Sequence, residues 1–129
     1  MRIAVCSKDF ERVTGHAGQA RRWLIFEADK QKSPTLINQL ELLKSDTFHH
    51  FKGDTPHPMD DVETLLASSS GDSFISRMEK RGVQVVLTAE TDPCSAVNNY
   101  ITNSLKPANR RPIMGMICKL RDLFSEQRN

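Results

Sequence analysis

Apolar residues along the chain fall into short continuous runs and stretches at helical spacing, and their order predicts an α/β fold. Ile3, Ala4 and Val5 are continuous, the pattern of a central strand buried on both faces, which ends at Cys6. A loop marked by Gly15 and Gly18 leads to a second strand over residues 23–28. Pro34 precedes a third strand over 35–43, although Leu36, Leu40 and Leu43 would suit a helix as well. The stretch 63–94 organises the rest. A strand over 64–68 gives way to serines and Gly71, Phe74, Ile75 and Met78 recur at helical spacing, Gly82 closes the helix, and residues 83–87 form a β-rich fifth strand. Asp72 or Ser73 is the expected cap of that helix. A strand–helix–strand this short favours parallel strands with a right-handed crossover, and ligands gather outside the C-terminal ends of such strands. Loops 68–72 and 88–94 are therefore the first places to look for function. Asp92 and Pro93 then start a helix with Ala96, Val97, Tyr100, Ile101 and Leu105 on one face, which Pro107 ends.

Two stretches lie outside this scheme. Residues 44–58 read as a long polar linker carrying His49, His50 and His57, expected to be poorly ordered without ligand and to exchange its amides rapidly. In such sequence solvated histidines are the ordinary reading, and transient metal capture the sharper one. Beyond Pro112, Ile113, Met116, Ile117, Leu120 and Phe124 share a face, predicting an amphipathic helix over 112–124. That stripe needs a cover: this domain, a second copy or a delivery partner. Residues 106–129 carry six basic and two acidic side chains, which makes the tail +4 on a body of −2 and favours an intermolecular cover.

Composition narrows the class. At 129 residues, 38% hydrophobic and 26% charged, the chain fits one soluble domain, here divided as 1–105 plus a basic tail 106–129. No apolar run has the length of a signal peptide's core or a membrane span, so cytoplasmic residence without a membrane is the expectation. Cys6, Cys94 and Cys118 are odd in number and widely spaced, which argues for free thiols. Nucleic acid is an unlikely partner, since the basic tail lacks interleaved aromatics.

Three stretches carry a resemblance to a known family: residues 13–20 (Val-Thr-Gly-His-Ala-Gly-Gln-Ala), 71–74 (Gly-Asp-Ser-Phe), and Gly82-Val83 followed by Thr88 to Pro93. In this order they resemble the dinitrogenase iron–molybdenum cofactor biosynthesis family, which includes NifX-like cluster carriers and the C-terminal part of NifB. His16 and Gly18 match that family's loop, while Ala17 stands where the family has an aromatic. The resemblance covers residues 1–105. It implies a ribonuclease-H-like motif: a five-stranded mixed sheet of order 3-2-1-4-5, the second strand antiparallel, flanked by helices. It also implies non-enzymatic binding of an iron–sulfur or molybdenum-containing cluster, cofactor-biosynthesis or acceptor proteins as partners, and a setting in nitrogen fixation.

With that topology one rim gathers the candidate chemistry. An anionic metal–sulfur cluster needs thiolate or imidazole ligands together with N–H groups and cations to offset its charge. His16, Cys6 and Cys94 are the candidate metal ligands, and Lys8, Arg21, Ser70 and Gly71 the candidate cofactor-binding residues. Each has a plainer reading. Cys6, at a central strand's end, reads first as a small buried hydrophobe. Cys94 sits where a helix dipole favours its thiolate but Asp92 opposes it. His16 lies in a loop with little apolar material to pack against. Two-metal phosphodiester hydrolysis needs converging carboxylates, and the first strand carries none. Two further classes remain open: a protein-interaction module of the same fold without a cluster, and a thiol enzyme using Cys94, for which the sequence offers no orienting partner.

Overall fold

The computed structural model describes residues 1–51 and 57–108. The helix expected over 112–124 lies outside them. Five strands form one sheet of order β3-β2-β1-β4-β5: β1 Arg2–Cys6, β2 Arg22–Asp29, β3 Lys32–Glu41, β4 Thr64–Ala67 and β5 Gln84–Leu87. β2 runs antiparallel to β1 and β3, whereas β1, β4 and β5 are parallel. This is the mixed sheet that the family resemblance implied.

Two helices, α1 Asp72–Lys80 and α2 Pro93–Ile101, cover opposite faces. The strands' alternation sorts the core into two layers. Ala4, Cys6, Trp23, Ile25, Leu65 and Ala67 face Phe74 and Met78 of α1, while Ile3, Val5, Leu24, Phe26 and Leu66 face Ala96 and Val97 of α2. β1 is sealed on both sides, which is why its apolar run is continuous.

Helix boundaries follow local chemistry. Asp92 caps α2 by accepting from the Ser95 N–H at 2.8 Å, with Pro93 at the first helical position. α1 starts differently: its cap is Gly71, which has no side chain to offer, and Asp72 is already the first helical residue. The expected Asp72 or Ser73 cap is thereby corrected, and the first N–H groups of α1 carry no side-chain cap. Gly82, at φ 81°, ends the turn after α1, where its N–H donates to the Glu79 carbonyl.

The third strand includes Pro34 instead of starting after it, because β3 is an edge strand and its outer side needs no N–H there. Leu36 and Ile37 are both nearly half exposed, so their apolarity carries little information about burial.

The largest departure concerns 44–58. The described part of this stretch is packed structure, not a loose linker: Phe48 and His57 are buried, joined in the α1-side core by neighbouring Leu42, Met59 and Val62. The His57 ring stacks on Phe48 at 4.7 Å and meets Phe51 edge-on. Its Nδ1 accepts from the Met59 N–H at 3.1 Å, which leaves Nε2 to donate to the Asp46 carbonyl at 2.6 Å.

Candidate functional site

The loop between β1 and β2 is fixed by main-chain bonds. The Thr14 N–H donates to the Cys6 carbonyl and Val13 to that of Thr91, while Ser68 donates to Thr14 and Ala17 to Ser69. This ties the loop to the ends of β1 and β4 and to the segment after β5. Gly15 fits closely, since a Cβ there would crowd the Ser69 and Ser68 hydroxyls and force them to turn away. One residue later the backbone of His16 is left-handed, φ 58° and ψ 50°, and its N–H donates to Ser69 Oγ at 3.0 Å. A non-glycine residue in this region costs free energy that its surroundings must offset. The outcome is an exposed imidazole on a braced loop.

Two hollows flank that imidazole. One, about 420 Å³, is lined by His16, Gly18, Gln19, His49, Ser69, Ser70, Gly71, Ser73, Phe74 and Arg77. Here the uncapped start of α1 meets two histidines and a guanidinium whose Nη2 donates to the Phe48 carbonyl at 3.0 Å. The His49 N–H donates to the Gly18 carbonyl at 2.6 Å, tying the second histidine to the His16 loop. The Ser70 hydroxyl is buried and, among the described residues, without a hydrogen-bond partner. A buried hydroxyl left unpaired costs about 1–3 kcal/mol, a debt that a ligand atom in this hollow could cancel.

The other hollow, about 480 Å³, is lined by Lys8, Thr14, Gly15, His16, Gln19, Ala20, Arg21, Arg22 and Glu41. Arg21 and Arg22 both lie against Glu41, at 3.6 and 3.7 Å, and both guanidinium groups also donate to main-chain carbonyls. Lys8 makes no ion pair among the described residues and is the cation with charge to offer.

The sequence-derived candidates are thus divided. His16, Ser70 and Gly71 share the first hollow, and Lys8, His16 and Arg21 the second. Cys6 is beneath the loop with no exposed surface; its thiol donates to the Gly15 carbonyl at 3.4 Å, and burial pushes its pKa up to about 11. Neither its position nor its protonation suits a surface ligand, which is the packing reading of that residue. Cys94 is exposed on the first turn of α2 and lines neither hollow. His49 and Arg77 are the residues that sequence reasoning missed as a pair. Nothing in their local sequence links them, since they meet only after the 44–51 stretch packs on α1.

Among the described residues no three His, Cys, Asp or Glu side chains converge on one point, and no helix is long and apolar enough to cross a membrane. The donors at this rim are two imidazoles, hydroxyls, helix N–H groups and cations, a set that fits a bulky anion better than a bare metal ion.

Comparison with known proteins agrees with the fold. The family model described as dinitrogenase iron-molybdenum cofactor matches residues 1–103. Among solved structures, PH0822 superposes with a TM-score of 0.65 at 18% identity, covering 83% of this chain and 94% of that one. A candidate dinitrogenase from Methanocaldococcus jannaschii gives 0.58 at 12% identity, over 86% and 97% of the two chains. A candidate NifB protein from Thermotoga, placed in the DUF35 family, gives 0.52 at 18% identity, over 88% and 98%. No curated protein matches the sequence.

Proposed function

The chain belongs to the dinitrogenase iron-molybdenum cofactor family, and from that membership we propose that it is a non-enzymatic carrier or assembly protein whose cargo is an iron–sulfur or molybdenum-containing cluster. One observation carries the reading: an exposed histidine, held in a left-handed backbone, stands between two hollows that hold N–H donors, an unpaired hydroxyl and cations. In this reading His16 ligates the cluster and His49 reaches it from the other side of the first hollow. Ser70, Gly71 and Arg77 offset negative charge on one flank, and Lys8 does so on the other, where Arg21 is already paired with Glu41. A carrier needs few protein ligands, because cargo bound through one or two imidazoles can be passed on to an acceptor protein. Cys6 serves packing in this scheme, and Cys94 stands apart on the helix of the opposite face.

The test is cluster loading. His16→Asn keeps a residue type that tolerates left-handed backbone while removing the imidazole. Anaerobic purification in the presence of iron, sulfide and molybdate is expected to give a coloured parent protein, and a variant that unfolds at the same temperature but carries several-fold less metal. Equal metal content in the two proteins would remove His16 from the site. A colourless parent would remove the cluster itself and favour an interaction module of the same fold.

A further inference from the structure

The described chain leaves the domain beside an uncovered part of its own core. Thr88, just after β5, forms an isolated antiparallel bridge with Pro107, and its hydroxyl donates to the Lys106 carbonyl at 2.6 Å. Next to that exit, Ile75, Val85, Leu87, Pro107 and Ala108 line an apolar groove of about 480 Å³. Ile75, Val85 and Leu87 belong to the α1-side core but are only partly buried. β5 is also an edge strand. The Gln84 and Thr88 amides donate inward to Glu63 and Ala67, so by alternation the Val85 amide points away from β4.

We propose that residues 109–120 of this same chain dock on the β5 edge and fill that groove. Three observations select this occupant. The first is register: continuing the Thr88–Pro107 pairing sets Asn109 opposite Val86 and Arg111 opposite Gln84, and Pro112, which has no N–H to donate, ends the run. Reach is the second, because the groove includes Ala108, and the five residues to Ile113 can span roughly 17 Å. The third is charge. Asp72 and Glu79 share the α1 face of Ile75, both exposed and without an ion pair among the described residues. They complement Arg110, which that register sets opposite Val85 on the α1 side, and Lys119 further on. Ile113, Met116, Ile117 and Leu120 would then be the apolar counterpart of Ile75, Val85 and Leu87.

Amide exchange resolved by residue, on the full chain, tests the occupant. The Val85 amide is expected to be protected at every protein concentration, with a monomeric mass by light scattering. In Ile117→Asp/Leu120→Asp that protection should fall by about tenfold or more while Val5 and Leu66 keep theirs. Free exchange at Val85 in the parent chain would overturn the proposal and leave the groove to a different protein. Protection unchanged in the double variant would overturn it as well. Protection that rises with concentration alongside a dimeric mass would assign the groove to a second copy.

Discussion

At the scale of single residues, Cys6 takes the plainer of its two sequence readings, a small side chain sealed in the core. A thiol whose pKa is pushed up to about 11 by burial stays neutral when the unfolded chain's thiol, near its ordinary value of 9.0, ionises. The unfolded state therefore binds fewer protons between these two values, and folding stability falls as pH rises through them, by about 1.4 kcal/mol per unit at most. Below pH 9 this contribution is fully present. Denaturant titrations at pH 8 and pH 11 should show a steeper loss for the parent than for Cys6→Ala, and equal losses would contradict the assignment. The same burial predicts chemistry: an exposed-thiol reagent at pH 8 should label Cys94 quickly and Cys6 only on unfolding, as read by mass spectrometry of digests. From sequence, Cys6 already reads first as a small buried hydrophobe at a central strand's end, whereas for Cys94 the helix dipole and Asp92 leave the matter open.

Among the elements, the segment between β3 and β4 shows why polarity alone misleads. Its residues are mostly hydrophilic, yet Phe48 reaches Trp23, Phe74 and His57, and His57 completes the layer with both ring nitrogens engaged. A histidine here acts as a flat, two-pronged spacer. His57→Ala is expected to cost about 2–4 kcal/mol, from lost stacking, a cavity and an orphaned Asp46 carbonyl, with cluster uptake at matched folded fraction unchanged. Reduced metal content in the folded variant would instead bring His57 into the site. The three histidines of this stretch look alike in sequence, but they divide by partner. His50 Nδ1 lies 2.9 Å from Thr47 Oγ1, His57 is sealed in the core, and His49 alone lines the hollow beside His16. α1, β5 and α2 were legible because apolar spacing agrees with Gly82 at the end of α1 and with the Asp92 cap and Pro93 at the start of α2, even though α1 is capped by Gly71 and not by Asp72 or Ser73. β3 was ambiguous because Leu36, Leu40 and Leu43 fall at helical spacing, and pairing with β2 decided the matter.

For the molecule as a whole, the strand order ranks resistance to opening. β1 and β4 are flanked on both sides and covered on both faces, whereas β3 is an edge strand with most of its side chains in solvent. Amide exchange should be slowest at Val5 and Leu66 and fastest, among strand residues, in the outward-facing amides of β3, approaching global unfolding only at the centre. Uniform protection across all five strands would show that something covers β3. The strand order followed from the family resemblance, while the short crossover from β4 through α1 was enough to make β4 and β5 parallel. Which side chains share a hollow was not legible, since His49 and Arg77 are brought together by packing between elements distant in the chain. The His16 loop has one more consequence, for redesign. Its position is set by main-chain bonds from Val13, Thr14, Ala17 and Ser68, by the close fit of Gly15 and by the Ser69 hydroxyl that accepts from the His16 N–H. Exposed neighbours such as Glu11, Arg12 and Gln19 can therefore be exchanged to retune local charge while the histidine itself stays where it is.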